Sequence, residues 1–507
     1  MTLTAFALDG MVAVPAVLAV LTLLVARRSE AGAVRVAAWS GLLVLGWSIW
    51  LAALSSSRLD GTHVNEPWLA AIDVRWHLGV DGISLPLLLM STVVFACALL
   101  ALVRNAPEGG GTASLAVLLL VIEAGVLGSF LALDMVLFFA FFEVALIPMW
   151  FVIDRWGDAH GPRGEEQRRR AATRFLVFTV LGSALMLVGF VLVRSEAGTF
   201  DIVRIAASYD PAGPVAVTAA ALVALGLAVK TPLWPLHIWL PDAHSKAPTV
   251  GSVVLAAVLL KLGTYGFLRF WLPLVDPEWS WLLPAVGALA VVGVIYAALA
   301  CLAQSDLKRL IAYSSVGHMG FVVLGAATYT VGGVQGAVYA SVAHGVITGL
   351  LFFLAGAVKD RYGTGDLGRL RGLYGRVPRL GGLVAFGAMA SLGLPGLAGF
   401  WGEMLAIRAA VFPSGDLPRE SFVTLAVVAA LGVILTSAYF LALLRSAFQA
   451  GETGAAPATP VIPGDVTRWE WLVWSPLVLA TVVLGVAPGL LLTPVAEATT
   501  AFLGGGR

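Results

Sequence analysis

Residues 215–240 read VAVTAAALVALGLAVKTPLWPLHIWL, an apolar run that is long enough to cross a bilayer and is interrupted near its end. A transmembrane helix needs about 20 predominantly apolar residues. Pro232 and Pro235 follow Lys230, and a proline inside a helix removes a backbone donor and clashes with the preceding turn. The run therefore predicts a membrane span that begins as a helix and is broken just after a lysine.

Apolar runs of this kind recur along the whole chain. Of the 507 residues, 59% are hydrophobic and 12% are charged, whereas an ordinary soluble domain has about 25% charged residues. Backbone groups in lipid must be hydrogen-bonded internally, which helices achieve without outside partners. The composition excludes an independent soluble enzyme domain and predicts an all-α polytopic membrane protein. We number its fourteen predicted spans 1 to 14, near residues 4–26, 34–54, 82–103, 113–133, 135–153, 172–194, 215–240, 249–271, 281–303, 310–327, 334–357, 381–412, 420–445 and 471–492.

Span 12 is predicted to be interrupted in the same way as span 7. Its residues 394–399 read LPGLAG. Interrupted helices at corresponding positions of two halves are typical of inverted-repeat transporters whose site lies near the bilayer midplane. Simple proline kinks that neighbouring helices absorb are the alternative interpretation.

The basic residues predict the orientation of the chain, because cytoplasmic loops carry an excess of Lys and Arg. The connections after odd-numbered spans hold 21 of the 31 basic residues, and the opposite side holds eight, among them Arg58, Arg269 and Arg507. Both termini are therefore predicted to lie outside. The Arg-rich loops at 154–174 and 358–380 are interpreted as topology signals at the lipid surface rather than as a nucleic-acid site.

Five acidic or basic residues lie midway along a predicted span or beside its break: Glu123, Glu143, Lys230, Lys261 and Glu403. A charge at the centre of a span costs about 2.5–3.5 kcal/mol on insertion scales, so these side chains must face the interior of the bundle. Glu143 and Lys230 form either a static ion pair or part of a proton path, and we favour the path. Glu123 is either a supporting partner or a satisfied core carboxylate.

Residues that can exchange protons lie both in these spans and in spans 10 and 11. Both basic residues deep in spans are lysines, which give up a proton when buried, as arginine does not. His318 in span 10 and His344 in span 11 titrate near neutrality and are interpreted as relays rather than packing residues. His237, Asp242 and His244 follow the break of span 7 and either form a funnel for proton uptake or tie the loop.

Motifs for cofactors and metals are missing from the sequence. Cys97 and Cys301 lie in apolar runs, where small buried cysteines are usual. Residues 363–368 match GxGxxG, but no predicted strand precedes them and no acidic residue follows at about 20 positions. We expect no cofactor or metal ligand in this chain.

Four segments resemble one family. They are similar to the antiporter-like subunits of respiratory complex I, most of all to the M-type chain of NADH-quinone oxidoreductase, the counterpart of mitochondrial NADH dehydrogenase subunit 4. The likeness covers about residues 80–490. The segments are FEVALIPMW at 142–150, KTP at 230–232 continued by WLPDAH at 239–244, APTVGS at 247–252, and LPG at 394–396 continued by FWGE at 400–403.

The resemblance implies an organisation and a place in a larger assembly. It implies three N-terminal spans in 1–110, a first five-helix repeat in 111–275, an inverted second repeat in 276–450 and a last span in 451–507. The chain would lie in the bacterial plasma membrane between L-type and N-type chains. FMN, iron–sulfur clusters and quinone would belong to other subunits, so that this chain carries out no redox chemistry.

The resemblance also implies a proton path and leaves rival functions open. The path would run from Glu143 and Lys230 through Lys261, then His318 and His344, to Glu403. A subunit of an Mrp-type cation/proton antiporter or of a membrane-bound hydrogenase shares the fold, although relatives of other types usually have lysine in place of Glu403. A non-pumping scaffold whose buried charges fix helix register is the rival from another class.

Overall fold

Helices account for nearly all of the regular structure. The computed structural model describes residues 3–55, 63–107, 109–160, 163–276, 279, 281–370, 372–415, 417–448 and 464–504. Within these ranges, thirteen helices are long and apolar enough to cross a membrane, and span 12 is present as two shorter helices. Fourteen spans are therefore confirmed. Arg58 and Arg507, which entered the charge count, lie outside the described residues.

The first half of the chain contains spans 1 to 7 with one short extra helix after span 6. Span 7 is broken as predicted, because its first helix ends at Lys230 and a second, short helix begins only at Leu240. The helices are α1 (Leu3–Ala26), α2 (Glu30–Leu54), α3 (Ser84–Leu102), α4 (Thr112–Leu131), α5 (Met135–Trp156), α6 (Gly164–Ala197), α7 (Ile202–Ser208), α8 (Gly213–Lys230) and α9 (Leu240–Lys246).

Span 8 runs continuously from Thr249 to Leu274 but is not a uniform α-helix. Two α-helical pieces, α10 (Thr249–Val254) and α11 (Leu260–Gly266), alternate with π-helical turns at Leu255–Leu259 and Phe267–Trp271. A 3₁₀ turn at Leu272–Leu274 ends the span. π-Helical turns are rare in proteins, and those that occur are often found at functional sites.

The second half contains spans 9 to 14 and two further helices. Span 12 is interrupted between Ser391 and Ala398, around the predicted Leu394-Pro395-Gly396 break. The helices are α12 (Leu282–Leu302), α13 (Leu307–Ala327), α14 (Val331–Tyr362), α15 (Leu373–Arg376), α16 (Pro378–Ser391), α17 (Ala398–Val411), α18 (Arg419–Phe448), α19 (Arg468–Val486) and α20 (Gly489–Gly504).

Spans 8 and 11 occupy the centre of the molecule. In Thr249–Leu274 and in α14, every residue of the most apolar 18-residue stretch is buried. In α1, α18 and α19, one-third of the corresponding stretch is buried. The outer helices therefore present their apolar side chains to lipid, and polar side chains on the two central spans have no solvent to face. The core of the bundle is where ionisable groups meet.

A β-hairpin is the exception to the predicted all-α fold. Strands β1 (His63–Leu69) and β2 (Val74–Gly79) pair antiparallel between spans 2 and 3. A sheet with open edges is possible there because this connection is not embedded in lipid, where unpaired backbone groups are too costly. His77 fixes the hairpin to the bundle through Nδ1, which lies 2.9 Å from Oδ2 of Asp201.

Local capping also follows the sequence. The side chain of Asp134 accepts hydrogen bonds from the backbone N–H groups of Val136 and Leu137 at 2.9 and 3.1 Å, and so caps the N-terminus of α5. α20 was not predicted. It lies against α14, where the side chain of Gln335 donates to the carbonyl of Leu492 at 2.8 Å.

Candidate functional site

A series of buried or largely buried ionisable side chains runs from span 8 through spans 11 and 10 to span 12. Nζ of Lys261 on span 8 lies 2.5 Å from Nδ1 of His344 on α14. The ring of His344 has its centroid 5.5 Å from that of His318 on α13. Nδ1 of His318 lies 3.0 Å from Oε1 of Glu403 on α17. Four residues from four spans therefore form one continuous row.

The order of the two histidines differs from the expected one. The sequence placed His318 before His344 on the way from Lys261, but His344 contacts the lysine and His318 contacts Glu403. The reason is that α14 packs directly against span 8 in the centre of the molecule, whereas α13 reaches the broken span 12. Chain order does not reveal this packing.

Lys261 is positioned by the irregular helix around it. Its ammonium also donates to the carbonyl of Ala256 at 2.7 Å, and Ala256 belongs to the π-helical turn that precedes α11. The ammonium is completely buried and binds one carbonyl and one imidazole nitrogen. Since an ammonium has donors only, Nδ1 of His344 must accept while Lys261 is charged, and a proton can pass along this hydrogen bond.

A small cavity lies beside the histidines. It measures about 20 Å³ and is lined among others by His344, Thr348, Ser391 and Glu403, which is room for about one water molecule. Nε2 of His344 is buried and has no partner among the described residues. A water in the cavity would satisfy this nitrogen and shorten the step to His318.

Glu143 and Lys230 do not form the direct ion pair that was one of the two alternatives for them. Lys230, at the end of α8, is buried, and its Nζ has no hydrogen-bond partner among the described residues. Nζ lies 4.8 Å from the ring centroid of Phe142 and 5.7 Å from that of Phe175, where the ring faces attract a cation. Oε1 of Glu143 is likewise buried without a hydrogen-bond partner among the described residues.

Gly263 allows span 8 to approach the break of span 7 closely. A Cβ atom at this position would lie 2.4 Å from Oγ1 of Thr231 and 3.1 Å from the carbonyl carbon of Lys230. Such distances are too short for any side chain. The glycine therefore brings the span that carries Lys261 against the residue where α8 ends.

The supporting residues have unequal surroundings. Both carboxylate oxygens of Glu123 and both ring nitrogens of His244 are buried without partners among the described residues. His244 stacks on Phe352, with ring centroids 4.7 Å apart, and the ring centroid of His237 lies 5.0 Å from that of Tyr296. These unpartnered groups are consistent with sites for water on a route toward Lys261.

Asp242 differs from its neighbours because it binds two arginines. Its carboxylate oxygens lie 2.6 Å from Nη1 of Arg174 and 3.1 Å from Nη1 of Arg309. Both arginines are partly exposed. The alternatives for this residue were a funnel for proton uptake and a structural contact of the loop. Its ion pairs, which join α9 to α6 and α13, fit the structural contact.

The prediction that lysines alone lie deep in the spans is wrong. Arg269, counted in a loop, lies in span 8 with 1% of its surface exposed, and Nη2 is 2.6 Å from both oxygens of Asp81. Arg361, near the end of α14, makes two hydrogen bonds of 2.9 and 2.8 Å to the carboxylate of Glu470. The sequence carried a signal for the burial of Arg269, because the residue lies inside the apolar run 249–271 of span 8.

The family is established by sequence. A model of the transmembrane region of the NADH:quinone oxidoreductase/Mrp antiporter proteins matches residues 132–431. The chain belongs to this family. The matched region contains Glu143, Lys230, Lys261 and Glu403 together with His318 and His344, whereas Glu123 precedes it.

Individual relatives cover the chain almost completely. NADH-quinone oxidoreductase subunit M of Rhodobacter capsulatus is 37% identical over 494 residues, which is 94% of this chain and 92% of that protein. A chain of respiratory complex I from Thermus thermophilus with bound NADH superposes with a TM-score of 0.85 at 31% identity, covering 98% of this chain and 99% of that one.

The family's fold extends to other assemblies. A chain of the Mrp complex from Dietzia sp. superposes with a TM-score of 0.84 at 23% identity and covers 99% of this chain and 98% of that one. At this identity the likeness establishes the shared fold alone. The multi-pass membrane architecture is therefore common to the family, and the side chains of the row must decide the function.

Proposed function

We propose that the chain is the M-type, proton-translocating membrane subunit of an NADH:quinone oxidoreductase, respiratory complex I. The observation that carries this proposal is the buried row Lys261–His344–His318–Glu403. Buried charges in a membrane protein mark ion or proton pathways, and this row joins a lysine to a carboxylate through two imidazoles. The names of the relatives support the same assignment.

Lys261 acts in this proposal as the central proton carrier. Its ammonium donates to Nδ1 of His344, so a proton can leave the lysine along an existing hydrogen bond. His344 and His318 relay it, through a water in the cavity between them, and Nδ1 of His318 delivers it to Oε1 of Glu403. Glu403 is the terminal donor or coupling charge.

Glu143 and Lys230 act as the gate of the path. Gly263 lets span 8 approach the end of α8 closely, and in this proposal the charge on Lys230 disfavours a second charge on Lys261. When Glu143 draws the Lys230 ammonium toward itself, Lys261 can take up a proton; when Lys230 moves back, Lys261 releases it. His237, His244 and Glu123 supply water sites on the uptake side.

The assembly around the chain follows from the proposal. NADH oxidation and quinone reduction take place in other subunits, which hold FMN, iron–sulfur clusters and quinone. L-type and N-type chains flank this one in the plasma membrane. The excess of basic residues after odd-numbered spans places both termini on the periplasmic side.

Two rivals are separated by experiment. An Mrp-type antiporter or membrane-bound hydrogenase subunit shares the fold, but an affinity-tagged chain would then not copurify with flavin and iron–sulfur subunits. A non-pumping scaffold needs the buried charge but no proton exchange. Lys261→Arg retains the charge and cannot release a proton, which makes it the matched control for Lys261→Met.

The test measures proton pumping driven by NADH oxidation in membrane vesicles, per assembled complex. Loss of pumping in both Lys261→Met and Lys261→Arg supports the proton path. Normal pumping in Lys261→Arg with loss in Lys261→Met supports the scaffold, and normal pumping in both refutes the path.

A further inference from the structure

The hydroxyl of Ser391 is hydrogen-bonded to a relay histidine. Its Oγ lies 3.0 Å from Nε2 of His318, on the opposite side of the ring from the Nδ1 atom that faces Glu403. Ser391 is 3% exposed and lines the small cavity beside both histidines. The ring of His318 is thus held at both nitrogens.

Ser391 bonds a side chain on another span, as Ser341 does toward Oγ1 of Thr264 at 3.2 Å, whereas many buried serines of the bundle bond their own helix. Ser91, Ser129 and Ser183 each donate to a carbonyl three or four residues earlier in their own helix. Among the described residues, the hydroxyl of Ser391 has His318 as its partner instead. Serine in a helix normally makes the local bond, so the contact across two spans is a specific arrangement.

The position of Ser391 results from the break of span 12. It is the last residue of α16, just as Lys230 is the last residue of α8 in the broken span 7. The chain leaves the helix directly after it and returns as α17 with Glu403. The break therefore places the hydroxyl and the carboxylate on the two sides of one imidazole.

We infer that Ser391 is a positioning residue that fixes the tautomer of His318 for proton transfer to Glu403. An ionised carboxylate has only acceptors, so Nδ1 of His318 carries the proton in the bond to Glu403. Nε2 of the neutral ring is then an acceptor, and the serine hydroxyl donates to it. Because a hydroxyl both donates and accepts, it can turn to accept when Nε2 is protonated.

The consequence is a ring that stays oriented through a complete transfer. A proton arrives at Nε2 and the proton on Nδ1 passes to Oε1 of Glu403, which leaves the ring neutral with its proton on Nε2 and the hydroxyl accepting from it. Before the next transfer the ring regains the tautomer with the proton on Nδ1, which the hydroxyl favours by donating to Nε2. Besides Ser391, the groups that face His318 are Glu403 on α17 and His344 on α14. Without the hydroxyl, the ring can flip or adopt the other tautomer, in which Nδ1 has no proton to give.

The inference rests on the proposed proton path, and the experiment separates the two. Proton pumping per assembled complex is measured for Ser391→Ala, Ser391→Thr and Lys261→Met, with Ser183→Ala as the control of equal burial whose hydroxyl bonds its own helix. We expect Ser391→Ala to lower pumping by about three- to tenfold, the effect of one hydrogen bond. We expect Ser391→Thr and Ser183→Ala to pump normally.

A second readout distinguishes positioning from a merely structural role. The solvent deuterium isotope effect on pumping should rise in Ser391→Ala, because proton transfer then limits the rate, and remain unchanged in Ser183→Ala. Should Ser391→Ala not assemble, Ser391→Cys takes its place, since a thiol is a weak donor of similar size, and must also pump more slowly.

Each outcome decides one of the two ideas. Slow pumping in Lys261→Met with normal pumping in Ser391→Ala or Ser391→Cys overturns the role of Ser391 and leaves the path intact. Normal pumping in Lys261→Met overturns the path itself. A loss in Ser391→Ala with an unchanged isotope effect, or a loss that threonine does not restore, assigns Ser391 to packing and refutes the inference.

Discussion

Nζ of Lys261 lies 2.5 Å from Nδ1 of His344, although the two residues are 83 positions apart in the chain. They belong to spans 8 and 11, whose most apolar 18-residue stretches are completely buried. The contact joins a group that can give up a proton to one that can accept it. The predictions below begin from this pair and from the contacts that hold the central spans in place.

Replacing His344 should interrupt the row. His344→Phe keeps a flat ring but removes both nitrogens, which leaves Lys261 with the carbonyl of Ala256 as its remaining partner. We expect coupled proton pumping to fall by at least about 100-fold, the usual effect of losing a general acid–base group. Pumping in vesicles is the measurement, and His160→Phe at an exposed position is the control. Equal pumping in the two variants would refute a relay through His344.

The ion pair between Asp81 and Arg269 should matter for stability rather than for proton transfer. Asp81→Ala leaves a buried guanidinium without its carboxylate, and removing one partner of a buried pair costs about 3–5 kcal/mol. Thermal unfolding in detergent measures the change. The double variant Asp81→Leu/Arg269→Met should recover most of the loss because no charge remains buried.

An exposed ion pair supplies the matched comparison for this test. Glu166 and Arg170 on α6 are both more than 60% exposed, and pairs of this kind contribute about 0–1 kcal/mol. Glu166→Ala should therefore leave the unfolding temperature nearly unchanged. If Asp81→Ala were equally harmless, the buried pair would not anchor span 8.

Substitution of Gly263 should push span 8 away from the broken span 7. In Gly263→Ala the new methyl group would meet Oγ1 of Thr231 at 2.4 Å and its backbone nitrogen at 2.8 Å. Overpacking of this kind costs about 1–3 kcal/mol, and the displacement separates Lys230 from Lys261. We expect reduced thermal stability and reduced pumping together. Gly332→Ala, where no atom lies within 4 Å of the added carbon, should pump normally, and equal behaviour of both variants would argue against the close approach.

The hairpin should detach from the bundle at acidic pH. Burial alone would raise the pKa of the Asp201 carboxyl, but the hydrogen bond and charge of His77 and the backbone N–H groups of Arg204 and Val203 lower that pKa below its ordinary value. A carboxylate with a lowered pKa stabilises the folded state fully above its unfolded pKa, about 3.9. This contribution is lost as the pH falls from about 4 toward the lower folded value.

Hydrogen exchange of β1 and β2 measures this detachment. Exchange, corrected for its intrinsic pH dependence, should accelerate below about pH 4 in the native protein. In Asp201→Asn the strands should exchange faster already at neutral pH, with a weaker acid response. Asp73→Asn, which removes a more exposed carboxylate in the same hairpin, should behave like the native protein. An unchanged acid response in Asp201→Asn would show that another group controls it.

Much of the architecture could be predicted from the sequence because lipid leaves few choices. Spans of about 20 apolar residues must be helical, and the prolines after Lys230 and around Leu394 must break two of them. The same reasoning indicated that Glu143, Lys261 and Glu403 face the interior. The hairpin lies in a connection and α20 follows the last span, and both escaped this reasoning because neither lipid nor a strong periodicity restricts the backbone there.

The tertiary structure decided which of these side chains meet. Periodicity shows that a residue faces inward but not which helix it faces. The order Lys261–His344–His318–Glu403 depends on the packing of α14 between span 8 and α13. For the same reason, the sequence did not predict the ion pair of Arg269 with Asp81, 188 positions away. It also did not predict the hydrogen bond between the hydroxyl of Ser391 and His318. The sequence by itself determined the membrane architecture and the identity of the buried ionisable residues, through the cost of exposing polar groups to lipid. The contacts that turn those residues into a proposed path depend on helix packing over long sequence separations, which no local pattern encodes.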